Sequence, residues 1–299
     1  GDLLSRYGIL NALEKLNLNK NIIVVALKKE HLIDLDYSII KYGVLFNVFP
    51  NLKQIKLFLK AKVILWTGGI DLSDDSSKIK LLYIFFCFLT YRIFGLKILV
   101  LNQGAGPVTT KTGFFLSKII LKLVSLFIAR DKETYSLIKK INPTLKIELA
   151  YDGIFSTNFN LLLNSSNQPK INDKNVLIGF NIRQWYHFNN SFLPKFLNPQ
   201  KYNLRSNENM NKLIDSSVKT IEYLLKEFDS QIILISNYEL LKNNTDSEFA
   251  FLKKIKKHFT TNERVILIKE DIDLIDYLKT IKSLNLMIGT RLHSSLIAI

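Results

Sequence analysis

A chain of 299 residues is long enough for two domains of ordinary size, each with its own core. Hydrophobic residues at 47% and charged residues at 22% exclude a wholly disordered polymer, and the single cysteine, Cys87, excludes an internal disulfide. The formal charge of +15 comes from lysines spread along the whole chain, without a nucleic-acid-binding motif, so an anionic ligand or an anionic membrane surface is expected to use it and nucleic acid is not.

In chain order, residues 3–16 read as a helix with Asp2 as its cap, and 22–27 as a short β-branched strand. A helix over 51–60 leads into a strand at 62–66. The apolar stretch 81–101 is interrupted by Arg92, Gly95 and Lys97. It therefore reads as a buried helix over 78–94, a turn at Gly95 and a strand over 97–101, and not as a membrane span. Cys87, inside Phe85-Phe86-Cys87-Phe88, reads as an inert core thiol. Helix 113–123, strand 126–129, helix 132–141 and strand 146–149 follow, with Asp131 the expected N-cap of the second helix.

Between 154 and 174 the composition turns polar, as linkers usually are. A second series begins there, with strands at 176–181, 231–236, 264–268 and 284–288 and helices at 208–228, 247–258 and 273–282. Nearly continuous apolar strands alternating with helices predict doubly wound parallel sheets. The expected fold is α/β, with two Rossmann-like domains facing a cleft: an N-terminal lobe over 1–160 and a C-terminal lobe over 174–299. Residues 185–207, directly after a strand, read as a cleft-side lid or as a surface insertion. The chain opens without methionine and closes inside a helical pattern, so a first strand and a C-terminal segment are expected to be missing.

In such folds ligands bind beyond the C-terminal ends of the strands. The strongest local signal is Gly289-Thr290-Arg291-Leu292-His293-Ser294, where a buried strand gives way to a helix. Arg291 supplies a forked cation for a carboxylate or phosphate, and His293 a group that titrates near neutral pH. The plainer reading is that Arg291 caps a neighbouring helix and His293 packs in a wall. Arg183, just past strand 176–181, is placed on the same sheet edge; it flanks the same anion or is a surface residue. Gly104 and Gly106 would let backbone approach a ligand or another loop, and Gly68-Gly69 give a tight strand exit first and a binding loop second. Asp152 is a turn residue or a cleft carboxylate. His187 lies in the expected lid, and His31 and His258 read as solvated. Neither an HExxH run, nor paired cysteines, nor a carboxylate-rich loop is present, so no metal is expected; the P-loop and the nucleophile elbow are absent too.

Gly289-Thr290-Arg291-Leu292-His293-Ser294 resembles the most distinctive motif of the polysaccharide pyruvyl transferase family. Other pieces follow in that family's order. Gly1-Asp2 resembles the end of its Asn-x-Gly-Asp motif, and Thr67-Gly68-Gly69 its triple-glycine turn with Thr67 replacing a glycine. Gln103-Gly104-Ala105-Gly106-Pro107 is similar to its Gln-Gly-Ile-Gly-Pro loop. Arg130-Asp131 with Thr134 is similar to its Arg-Asp-x-x-Ser element, and Tyr151-Asp152-Gly153 to an Asp-Pro element that has lost the proline.

The resemblance implies a GT-B-like architecture, phosphoenolpyruvate as donor substrate and no cofactor. It implies that the 1–160 lobe takes the acceptor and the 174–299 lobe the donor, with Arg291, Leu292, His293 and Ser294 at the donor and Arg183 a looser match to a second anion-binding arginine. His293 is the expected catalytic acid. The expected acceptor is a sugar or a lipid-linked oligosaccharide, reached in the cytoplasm or at the inner face of the membrane. A GT-B glycosyltransferase using a nucleotide sugar is the rival with the same architecture. A non-catalytic binding protein that keeps the fold is a reading of another class.

Overall fold

The computed structural model describes residues 2–18, 22–26, 38–41, 48–75, 77–159, 176–182, 200–236, 248–269 and 272–298. Their contacts divide into two compact units, one over residues 2–157 and one over the described residues beyond 157. Arg183, His187 and His31, most of the expected linker and the 185–199 part of the expected lid lie outside the described residues.

The first unit begins with α1 (Asp2–Lys15), which starts at Asp2 itself, so that Asp2 stands inside the first turn and not ahead of it. β1 (Ile23–Ala26) pairs in parallel with β2 (Ser38–Lys41) as a separate two-stranded sheet. α2 (Leu52–Lys60) is opened by a capping box. Asn51 Oδ1 accepts from Gln54 N at 3.1 Å and Gln54 Oε1 accepts from Asn51 N at 2.6 Å.

The main sheet of this unit has the order β3 (Val63–Thr67), β5 (Lys97–Ala105), β6 (Leu126–Ala129), β7 (Ile147–Leu149), with the short β4 (Ile70–Leu72) pairing to the far end of β5. All of its pairings are parallel. The crossovers are α3 (Lys78–Ile93), α4 (Lys111–Leu123) and α5 (Lys132–Ile141), each ending a few residues before the next strand starts. Leu81, Ile84, Cys87 and Phe88 of α3 pack with Ile98, Val100, Ile120 and Phe127 into one core. Burial there pushes the Cys87 thiol up to about 11, as an inert core thiol requires.

The second unit has a four-stranded parallel sheet of order β10 (Val265–Leu267), β9 (Ser230–Leu234), β8 (Val176–Asn181), β11 (Leu286–Gly289). α6 (Gln200–Glu227), α7 (Glu248–Lys256), α8 (Leu274–Lys282) and the six-residue α9 (Leu292–Ile297) complete it. α6 starts eight residues before the expected position. Phe180, Ile221, Ile232, Leu234, Phe251 and Ile255 form its core. The α/β class with two parallel, helix-crossed sheets is thus observed.

β4 and the length of β5 are the informative departures. A three-residue strand beside two glycines carries no readable period, and Gln103-Gly104 reads as a loop because glycine disfavours strands. Both are strand because Gly104 N donates to Gly69 O at 3.3 Å and Gly106 N to Leu72 O at 2.7 Å.

Candidate functional site

In the first unit the sequence-predicted residues gather at the C-terminal ends of β3, β5, β6 and β7. Gly68 and Gly69 both have positive φ, 93° and 63°, a pair that only glycines adopt without strain, so Thr67-Gly68-Gly69 is first a tight strand exit. The turn is held by Gln103, whose buried Nε2 donates to Gly68 O and to Asp71 Oδ2, both at 2.6 Å. Trp66 Nε1 donates to the same Asp71 oxygen at 2.8 Å, and Lys80 pairs with Asp71 Oδ1 at 3.2 Å. Asp71 therefore collects three donors at the lip of the sheet.

Gly104 is buried inside β5. A side chain there would meet Arg130 Nη2 at 2.9 Å, so the close approach that its glycine allows is to another loop of the protein. Arg130 Nη1 in turn pairs with Asp152 Oδ2 at 3.2 Å. Asp152 is 6% exposed, and its Oδ1 accepts from Ser5 Oγ of α1 and, at 3.0 Å, from Ile154 N in the 3-10 turn Gly153–Ser156. Of the two readings of Asp152, the turn residue is the one this geometry serves. Asp131 caps α5 as expected, its Oδ1 accepting from Thr134 N at 2.6 Å, while Thr134 Oγ1 accepts from Ala105 N at 2.9 Å. Next to the Gly106-Pro107 exit, Asp74 is fully buried and accepts from N and Oγ1 of both Thr109 and Thr110 at 2.5–3.2 Å. Burial alone would raise this carboxyl; the four hydrogen bonds outweigh it and hold it below its ordinary value of 3.8.

In the second unit the strands run β8, β9, β10 outward and then return to the other side of β8 with β11. The order reverses between β8 and β11, the kind of point at which open parallel sheets bind ligands. Their ends carry Asn181 and Gly289-Thr290-Arg291. Asn181 is fully buried, donates from Nδ2 to Ile235 O at 2.7 Å, and accepts at Oδ1 from Ser294 Oγ at 3.0 Å. Thr290 N donates to Asn181 O at 2.9 Å. Together these bonds fix the turn from β11 into α9.

Arg291 stands at the N-cap of α9. Its Nε pairs with Glu248, the first residue of α7, whose carboxylate is 2% exposed. Arg291 thus bonds the side chain that opens a neighbouring helix, which is an ion pair and not the expected helix cap. Among the described residues Nη1 and Nη2 have no hydrogen-bonding partner, and the side chain is 28% exposed. His293 is half-buried in the first turn of α9, and Leu292 beside it is 50% exposed. Tyr277 of α8 completes the corner. Its hydroxyl is pushed well above the ordinary tyrosine range by burial and then by the Glu248 carboxylate, against a hydrogen bond with Ser294 and the charge of Arg291.

The structure thus brings Arg291, Leu292, His293 and Ser294 together at one sheet edge, and Gly68, Gly69, Gly104, Gly106 and Asp152 at another. Asn181, Glu248 and Tyr277 were not legible: an asparagine ending a strand, a glutamate opening a helix and a tyrosine on a core helix have ordinary explanations. Among the described residues no group of acidic, histidine and cysteine side chains has metal-site geometry. No helix among them is long and apolar enough to cross a membrane.

Two parallel-sheet units with polar strand exits define a GT-B-like α/β protein, and the likeness to solved structures agrees. The crystal structure of Anabaena Alr3699/HepE in complex with UDP superposes at a TM-score of 0.51 with 12% identity, over 100% of this chain and 75% of that one. The sequence matches the polysaccharide pyruvyl transferase family over residues 1–299, and the chain belongs to that family. None of the curated proteins matches it. Membership supports a transferase of polysaccharide pyruvylation, with a sugar or polysaccharide as acceptor.

Proposed function

We propose that the protein transfers a pyruvyl group from phosphoenolpyruvate to two hydroxyls of one sugar, forming a cyclic ketal. The observation that carries this reading is the β8/β11 reversal, where Arg291 stands at the N-cap and His293 in the first turn of the same short helix, within the stretch that resembles the family's most distinctive motif. Phosphoenolpyruvate presents a carboxylate and a phosphate, and the Nη edge of Arg291 suits either. Arg183 is proposed as a second anion contact.

His293 acts as general acid. It gives its proton to the methylene carbon, which becomes a methyl group, and C2 takes on cationic character. A sugar hydroxyl adds to C2 and returns a proton. The bond from C2 to the phosphate oxygen then breaks, phosphate leaves with the electron pair, and a second hydroxyl closes the ketal with loss of its own proton. Of the glycine-rich exits of the first unit, Gly68-Gly69 and Gly106 are proposed to line the acceptor side, with Gly104 and Asp152 seating Arg130 behind them. A cytoplasmic site of action, with the acceptor carried on a lipid, fits the chemistry.

A nucleotide-sugar donor is the second reading, because HepE was solved with UDP. Thermal stabilisation separates the two. Phosphoenolpyruvate should raise the melting temperature, and His293→Ala should keep that shift while losing ketal formation. A shift with UDP-sugars and none with phosphoenolpyruvate sinks the pyruvyl reading, whereas full ketal formation in His293→Ala sinks the assignment of His293 as the acid.

A further inference from the structure

In the first unit the edge opposite the strand exits is formed by the last turns of the helices and the first residues of the strands. Its charge is one-sided. The α2–β3 connection carries Lys60 and Lys62, and the α3–β5 connection Arg92 and Lys97. Lys122 follows on α4, and Lys139, Lys140 and Lys146 bracket the α5–β7 connection. All of these side chains are exposed, and these four connections contain no aspartate or glutamate.

The opposite edge is different in kind. There Asp71, Asp74, Asp75, Asp131, Glu133 and Asp152 slightly outnumber the five lysines and arginines that stand among them. A genome-wide preference for lysine would load both edges alike, so composition does not explain the asymmetry. Lysine in a last helical turn complements the helix dipole, and Arg92 and Lys139 do bond the carbonyls of Leu96 and Pro143. Lys62, Lys97 and Lys146 lie beyond the helices, where that account does not reach. They are also contiguous along the sheet: Lys97 N donates to Lys62 O, Ser125 N to Ile98 O, and Phe127 N to Lys146 O. None of the three has an ion-pair partner among the described residues.

Apolar side chains stand in the same row. Leu59 is 67% exposed and Ile93 73% exposed, each next to a cation in a last helical turn. Seven of the eight cations are lysines, point charges that suit a diffuse anionic surface better than the bidentate contacts arginine makes to nucleic acid. No exposed aromatic is present in these connections for a base to stack on. Basic residues flanking exposed aliphatics are the composition that anionic bilayers attract.

We infer that this edge, centred on Lys62, Lys97 and Lys146 with Leu59 and Ile93 beside them, docks the protein on an anionic lipid surface. The inference goes beyond the proposed transfer: it rests on charge and exposure alone and holds for either donor. Flotation of the full chain with vesicles tests it without donor or acceptor, so its failure leaves pyruvyl transfer untouched. Vesicles with about one-third phosphatidylglycerol should bind the chain, and the triple variant Lys62→Glu/Lys97→Glu/Lys146→Glu should lower partitioning at least tenfold, to about the level of neutral vesicles. Ile93→Ser, which alters one exposed side chain, should lower it about threefold. A charge-matched triple on α6, Lys212→Glu/Lys219→Glu/Lys226→Glu, should change it far less. Equal loss in both triples would reduce the effect to net charge and overturn the inference. So would binding to neutral vesicles alone, or tighter binding to duplex DNA that the first triple abolishes.

Discussion

Arg291 and Glu248 are ion-paired across the second unit, with the guanidinium Nε of one donating to the nearly sequestered carboxylate of the other. This pair gives Arg291 two duties. Nε ties the β11–α9 turn to the start of α7, and under the proposed function Nη1 and Nη2 take the incoming anion. An arginine aimed by a buried carboxylate is preorganised, at the cost of part of its net charge.

The pair makes Arg291→Ala a change in stability as well as in the site. Removing the cation takes the ion pair from a carboxylate that is 2% exposed, and the expected loss is on the order of 3 kcal/mol. Urea denaturation should show it, and Arg291→Ala/Glu248→Gln should recover most of the loss without recovering donor binding. A single variant as stable as the parent would show that the pair contributes nothing. Donor titrations on Arg291→Ala have to be read against its own baseline.

Asp74 predicts an acid-sensitive lock at the head of α4. Its carboxyl lies below 3.8 in the folded protein, so its contribution is fully present above that value and is lost as pH falls through the folded one. Asp74→Asn should cost about 2 kcal/mol at neutral pH, because the amide cannot accept at both of its ends. The gap to the parent should narrow below pH 3.8. Parallel denaturation series at neutral and acid pH check both halves, and a gap constant with pH would contradict the assignment.

Gly8 predicts a packing limit. A Cβ there would lie 1.6 Å from Gly153 O, a backbone atom that cannot swing away. Gly8→Ala should displace α1 from the Gly153–Ser156 turn and destabilise the unit by about 3 kcal/mol. Gly95→Ala is the contrast: nothing stands within 4 Å of that position, and only its φ of 78° opposes the change. It should cost about 1 kcal/mol. Equal melting temperatures for the two would refute the packing account.

Cys87 is fully buried and its thiol is pushed up to about 11. The native protein should resist thiol alkylation at pH 8 and react once unfolded, since the thiolate is the reactive species. Rapid labelling of the folded chain would contradict the burial.

The regular elements were legible because their signals are local. β6, α5 and β8 begin and end where apolar runs and the Asp131 cap put them. β4 and the second half of β5 depend on hydrogen bonds between segments about thirty residues apart, which no local pattern encodes. The same difference divides the sites. Arg291 and His293 could be read from one short motif, whereas Glu248 and Asn181 matter only through partners 43 and 113 positions away. Asp152 stayed ambiguous for the same reason, since its partner Ser5 is 147 residues distant.

That last contact has a topological consequence. Ser5 bonds Asp152, Thr157 Oγ1 donates to Leu4 O at 2.8 Å, and Gly8 nests on Gly153, so the first helix and the last described turn of the unit lie side by side. Leu4 and Ser5 are joined to residues about 150 positions later, so α1 gains these partners only after β7 has been made. On a chain synthesised from its N-terminus the first helix is therefore among the last parts of the unit to be fixed in place, and the contact raises the sequence separation that slows folding.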